Sequence, residues 1–305
     1  MNDAIKLSDI LSKQDLAVLR SKSNIHAASI VLLNWAMIIV AILLFAFWPN
    51  PLSFIFSVLL LAGRQLGLGV LLHECAHNSL FETKKLNEFV GQYVCGAIIN
   101  VPLFAYRDYH LDHHKYAGTE QDPDAVFVEK YPVHKASLKR KLIRDITGQT
   151  GIRDTSNKLK SLFVSKDIFG KSNWDKGKSW LVAHAAMFLC LFLLGVWWAY
   201  SIWWVAELFV LPVLYRLRQI GEHGVATDRS VRSPRMNTGT TIVSWWERLF
   251  IAPNYVNYHV EHHQFASVPC YRLPLLHSKL NDGGYFDGYD CIAYGYADVL
   301  KRAVV

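Results

Sequence analysis

An all-α integral membrane protein, with four transmembrane helices and a histidine-rich cytosolic cap, is the fold class this sequence predicts from three observations. Residues 27–48 run for 22 positions without a charge. The 305-residue chain is 52% hydrophobic and 19% charged, with ten Trp, a balance foreign to soluble domains. Its thirteen histidines are clumped, the compositional sign of metal chemistry.

Each element follows in order. At ~1.5 Å per residue, 27–48 is long enough for a hydrocarbon core of ~30 Å. After the turn Trp48-Pro49-Asn50-Pro51, residues 52–72 bring the chain back, interrupted by Arg64 and Gln65. Residues 89–106 are apolar but contain Gly and Asn, which predicts a re-entrant or interfacial segment. Residues 180–215 are apolar apart from Glu207; a single helix of that length would reach ~54 Å. Two crossings, 180–198 and 200–215, with a break near Gly195–Ser201, are therefore expected. Arg64 and Glu207 fall in the middle of their spans and are expected to pair, because an unpaired charge in lipid is costly.

Four crossings leave the N-terminus, residues 73–179 and residues 216–305 on one face. Every Lys and Arg except Arg64 lies there, and the positive-inside rule makes that face cytoplasmic. The expected location is the cell (inner) membrane, or the endoplasmic reticulum in a eukaryote. The polar start, with Lys6, Lys13, Arg20 and Lys22, lacks a small-residue cleavage site, so a cleaved signal peptide is not expected. No internal repeat or linker divides the chain, and 1–305 reads as a single domain. Five cysteines without C-x-x-C spacing support neither a disulfide framework nor a thiolate zinc site. A net charge of +7 is too mild to argue for nucleic acid.

The chemistry is concentrated in histidine clusters. His73 and His77 are spaced i,i+4 where the second span leaves the lipid, so a continuing helix puts both rings on one face. His110, His113 and His114 are spaced i, i+3, i+4, and His259, His262 and His263 repeat that spacing. His223 follows the fourth span at a similar depth. Nine imidazoles exceed what one ion takes, so two metals are expected, and imidazole ligation by itself suits Fe, Cu, Zn or Ni. The neighbouring acids Glu74, Asp108, Asp112, Asp122, Asp124, Glu222, Asp228 and Glu261 could fix ring tautomers, with Asp112 and Glu261 the foremost candidates. His26, His134, His184 and His277 read as ordinary structural histidines.

HECAHNSLF (73–81), YHLDHHKYAGTEQDPD (109–124) and NYHVEHHQFASVPCYRLPLLH (257–277) resemble the three histidine boxes of the membrane fatty acid desaturase superfamily. The resemblance covers roughly residues 60 to 280. It implies a di-iron centre that uses O2 and two electrons to remove hydrogens from an unactivated alkyl chain, or to hydroxylate it. The implied iron ligands are His73, His77, His110, His113, His114, His259, His262 and His263. His223 resembles the additional histidine that some members supply between the second and third boxes. Where those members have an Asn that reaches a metal through water, this chain has Gln219. The third box opens with His259 instead of the Gln of front-end desaturases, and the sequence carries no fused cytochrome b5 signature. Electrons are therefore expected from a separate carrier of ferredoxin, rubredoxin or cytochrome b5 type, with its reductase.

The function expected is O2-dependent desaturation of an acyl chain in a lipid or thioester. Hydroxylation of an alkyl, carotenoid or natural-product substrate is the alternative, and a histidine-rich metal or haem membrane protein is the non-enzyme alternative. Transporters place ionisable ligands near the bilayer midplane and b-type cytochromes pair histidines from facing spans; here only His184 lies within a predicted span. Residues 130–178 hold thirteen Lys or Arg against four Asp or Glu. This stretch reads first as a contact for anionic lipid head groups, with docking of an acidic electron donor, around Lys139, Arg140 and Lys141, as an overlay.

Overall fold

The computed structural model describes residues 6–163 and 174–305. Its longer helices are α1 (Asn24–Phe47), α2 (Pro51–Ala76), α3 (Lys84–Ile99), α4 (Leu103–Tyr116), α5 (Lys135–Ile146), α6 (Gln149–Phe163), α7 (Trp174–Leu193) and α8 (Trp197–Gly224). A C-terminal segment follows, with β1 (Thr240–Ile242), α9 (Trp245–Phe250), α10 (His259–Gln264), α11 (Leu273–Asp282), β2 (Ile292–Tyr294) and α12 (Gly295–Arg302).

Among the described residues α1, α2 and α8 are long and apolar enough to cross a membrane. Ser23 caps α1 by accepting from the His26 N–H. Asn50 caps α2 by accepting from Leu52 and Ser53, with Pro51 in the first turn, where its missing N–H costs nothing. The apolar window of α2 is 78% buried against 33% for α1, so α2 is the central post and α1 an outer one. Ile25, Leu32, Leu33, Ile39, Val40 and Phe47 of α1 face outward, as lipid contact requires.

The third and fourth spans depart from expectation. Helix α7 ends at Leu193, and its apolar part, Gly177–Leu193, is shorter than the other three. The chain turns at Gly195, whose φ of +73° suits glycine. From Trp197 it stays helical to Gly224, through π-helical turns at Ala206–Val210 and Ile220–Gly224. The fourth element thus extends past residue 215 and carries His223 in its last turn. Hydropathy alone ended it too early, because Arg216 and Arg218 interrupt the apolar run while being neutralised within the fold by Asp145 and Glu222. The segment expected to be re-entrant or interfacial is the helix pair α3–α4, bent by 97°, with Asn100 left-handed at the bend and Pro102 preceding α4.

Arg64 and Glu207 do not pair. The Arg64 guanidinium donates to the Leu249 carbonyl, while Glu207 accepts from Lys158 Nζ at 3.0 Å and from Trp203 Nε1 at 3.1 Å. Both charges find their partners outside the predicted spans, on residues 249 and 158. Residues of the C-terminal segment instead descend along α2: Asn254 Nδ2 donates to the Gly67 carbonyl at 3.0 Å. Lys158 reaches Glu207 from α6, which packs so closely on α8 that a Cβ on Gly151 would stand 2.2 Å from the Leu208 carbonyl oxygen.

Of the basic stretch 130–178, residues 164–173 lie outside the described residues. Within it Lys139 and Arg140 are exposed, whereas Lys141 is part-buried with its ammonium 4.4 Å from the Tyr131 ring centroid. Helix α5 is held to α8 by Asp145, fully buried, which accepts from both Arg216 and the Thr150 hydroxyl, the latter at 2.6 Å. Asp145→Ala would leave the Arg216 charge without its partner, and the expected loss is about 3 kcal/mol. The thermal unfolding midpoint of the solubilised protein would report it; an unchanged midpoint would reduce the pair to the weight of an exposed one.

Candidate metal centre

Four segments meet above α2. Its last turn and C-cap supply His73 and His77, α4 supplies His110, His113 and His114, the end of α8 supplies His223, and α10 supplies His259, His262 and His263. The nine rings sort into two groups: His73, His77, His110, His114 and His262 in one, His113, His223, His259 and His263 in the other, with ligand atoms of each group within 4.8 Å of one another. The sorting follows helical geometry. In α4 the i,i+4 pair His110 and His114 turns to the five-ring group and His113, on the adjoining face, turns to the four-ring group. In α10 the pair His259 and His263 serves the four-ring group, and His262 crosses to the other.

Within the five-ring group His114 Nε2 lies 3.1 Å from His110 Nε2 and 3.0 Å from His262 Nε2. In the other, His259 and His223 Nε2 are 2.9 Å apart and His113 and His263 Nε2 are 3.3 Å apart. Two imidazoles at right angles on one first-row metal, with bonds of ~2.1 Å, are ~3.0 Å apart, so the donor set fits a cation at each group. His77 Nε2 is buried with no hydrogen-bond partner, the condition of a nitrogen that a cation would take. Burial, then the crowding of the other histidines and, at His259, of Arg218, holds His259, His262 and His263 well below the ordinary imidazole range. They are neutral, as ligands must be.

The outer nitrogens of His73, His113 and His223 are anchored. His113 Nδ1 donates to Asp122 at 2.7 Å, with Asp124 at 3.6 Å, and His223 Nδ1 donates to the Asn237 carbonyl at 3.1 Å. Each bond fixes the tautomer that leaves Nε2 free to ligate. Burial, the largest single influence, raises the Asp122 carboxyl, but the His113 hydrogen bond and charge, the Asp124 N–H and His223 together outweigh it and the net shift is downward. Glu74 accepts from His73 Nδ1 at 3.2 Å and, on its other oxygen, from Ser79 Oγ and the Cys270 N–H, tying the first cluster to the chain beyond the third. Glu222 is held by Arg218 at 2.6 Å and stands 3.9 Å from His259 Nδ1.

Asp112, foremost in the sequence reading, is exposed on the outer side of α4, because it lies between His110 and His113 on a helix whose histidine face points inward. Glu261 is fully buried but accepts from His277 Nδ1 and Thr240 Oγ1 instead of from a clustered ring. Asp108 is exposed, and Asp228 is engaged by Ser230. Gln219 belongs to neither ring group and lines a cavity beside them. His26 stacks on Tyr271 at 4.3 Å and His134 is exposed at the start of α5. His184 bonds Tyr200 and the Ile98 carbonyl.

Sequence reasoning missed the support of the third cluster. β1 and β2 pair in parallel, Thr240 opposite Ile292, and Thr240 Oγ1 accepts from the Val260 N–H while donating to Glu261. Three-residue strands carry no periodicity to detect. Tyr106 was missed as well; it stacks on His110 at 5.4 Å and 7°, and its i,i+4 spacing was the available signal.

Comparison with known proteins agrees with this geometry. Over 306 residues the chain is 26% identical to dihydrorhizobitoxine desaturase of Bradyrhizobium elkanii, covering 93% of this chain and 83% of that protein. It is 22% identical to the sn-1 oleoyl-lipid 12-desaturase of a Synechocystis strain, over 91% and 82% of the two chains. To the β-carotene ketolase of a Paracoccus strain it is 24% identical, over 75% and 81%. The family model described as fatty acid desaturase matches residues 49–294, which include all nine clustered histidines, and the chain belongs to that family.

Proposed function

We propose that the protein is an O2-dependent di-iron desaturase of an acyl or related chain, and that His73, His77, His110, His114 and His262 hold one iron while His113, His223, His259 and His263 hold the other. The observation that carries this reading is the sorting of nine imidazoles into a five and a four. When bound, such a pair supplies the activation of O2 and the removal of hydrogen from an unactivated C–H bond. The chain's own residues supply the rest. Glu74, Asp122 and the Asn237 carbonyl orient their rings through Nδ1, and burial of the rings excludes water from the reacting carbon. Gln219, four residues before His223, is the candidate for a water-mediated contact with one metal.

Electrons would arrive from a separate ferredoxin-, rubredoxin- or cytochrome b5-type carrier, and the centre would face the cytoplasm of a multi-pass membrane protein. Hydroxylation or ketolation is the second reading. It is favoured by the likeness to a carotenoid ketolase, since both outcomes share the first hydrogen abstraction.

Purified protein should contain close to two irons per chain and show no Soret band. A stoichiometry near one would remove the di-iron assignment, and a Soret band would favour a haem protein. Alanine at His77, His113, His223 or His262 should abolish turnover and release metal, whereas His134→Ala should keep both. His184→Ala should keep the metal and lose stability, because the ring bridges α7 to the end of α3.

Asp122→Asn should weaken metal retention by roughly 10- to 100-fold, the usual effect of removing a ligand's hydrogen-bonded carboxylate, whereas Asp112→Ala should leave it unchanged. Chelator competition on the two variants measures this directly, and equal behaviour would mean that Asp122 does not position His113.

A further inference from the structure

A cavity of about 600 Å³ lies between α2, the α3–α4 bend, α6 and α8, a volume suited to a small molecule. Its wall includes Gln65, Ile99, Lys158, Glu207, Tyr215 and Gln219. Two of these put its inner end beside the metal centre. Gln219 is four residues before His223, and the Tyr215 hydroxyl is 3.4 Å from where a Cβ on Gly69 would stand, four residues before His73.

One side of the wall has the wrong chemistry for a plain alkyl chain at the depth of α2, while Ile99, Val101, Val126, Phe127 and Leu211 make much of the remainder apolar. Gln65 Nε2 donates to the Trp203 carbonyl at 3.0 Å. Trp203 Nε1 donates to one oxygen of Glu207 at 3.1 Å, and Lys158 donates to the other at 3.0 Å. The result is a polar chain along one side. Gln65 is 1% exposed, yet its Oε1 has no hydrogen-bond partner. A buried acceptor left unmet costs about 1–3 kcal/mol, and a hydrocarbon cannot meet it. The outer part of the wall is cationic. Lys130, Lys141 and Arg144 line it, and the Lys141 ammonium is held below its ordinary range by burial and by Arg216, Arg144, Lys130 and Arg140.

We propose that this cavity binds a polar amphiphile instead of a plain fatty acyl chain: a ligand with an anionic end, carboxylate or phosphate, at the Lys130, Lys141 and Arg144 rim, and an N–H or O–H within its chain that donates to Gln65 Oε1. The assignment rests on the oxidoreductase reading for the fate of the ligand, while its binding stands or falls separately.

The test is a calorimetric titration of the detergent-purified full chain. The probes are N-octanoylglycine and undecanoate. They match in length and carry the same carboxylate, and only the first has an N–H in its chain. N-octanoylglycine should bind about 10-fold more tightly, the lower end of the value of satisfying a buried acceptor. Gln65→Leu should erase that preference, and Lys141→Gln with Arg144→Gln should weaken both probes together. Undecanoate binding as tightly as N-octanoylglycine to the wild type would overturn the proposal without recourse to any variant. So would a preference that survives Gln65→Leu in protein that keeps its fold. Because the readout is binding, these outcomes are independent of iron stoichiometry, on which the di-iron reading depends.

Discussion

Nine imidazoles converge in a buried space with ring nitrogens about 3 Å apart, and the rest of the fold answers to that crowding. Lone pairs directed at one another repel unless a proton or a cation lies between them. Each neutral ring has one proton to give, and for His113 and His223 it is given outward, to Asp122 and to the Asn237 carbonyl. At those rings the inward Nε2 is left as an acceptor, the state in which an imidazole takes a cation.

Holding such a set requires a rigid frame, and the frame is built by making one apolar post serve every other element. Helix α2 meets α1 on one side, α8 on another and the descending C-terminal segment on a third, and its last turn begins the ring cluster. Polar groups that would be costly on a lipid-facing helix are absorbed by this enclosure. Arg64 finds a carbonyl on α9, and Asn34 donates to the Arg64 carbonyl at 3.2 Å. Glu74 joins two segments nearly 200 positions apart in the chain. The C-terminal segment is therefore part of the membrane-proximal core and also the support of the third cluster.

Much of this was legible in the sequence because two strong periodic signals carry it. Long uncharged runs gave α1 and α2 to within four residues, and the i,i+4 and i, i+3, i+4 spacings gave eight of the nine clustered histidines, with His223 marked by its depth after the fourth span. What stayed hidden depends on contacts between distant segments. The pairing of Arg64 with a carbonyl instead of Glu207 needs the path of residues 245–255, which no local pattern encodes. The choice of Asp122 over Asp112 depends on a turn after α4 that swings Asp122 back over His113. The length of α8 was misjudged because its polar end is neutralised by partners elsewhere, and the strand pair beneath Glu261 is too short to announce itself.

The crossing of His113 and His262 out of their own triplets means that the two cation sites share their walls. Neither α4 nor α10 belongs to one site, so neither site can be assembled as a separate unit and joined to the other later. The intervals within each box act as a reading frame: three residues to the neighbour's ligand, four to the helix's own. One residue inserted between His110 and His113 would turn everything after it by about 100°, bringing His113 onto the His110 face and carrying His114 past both sites. Insertions tolerated in the loops on either side would thus be disallowed within the boxes.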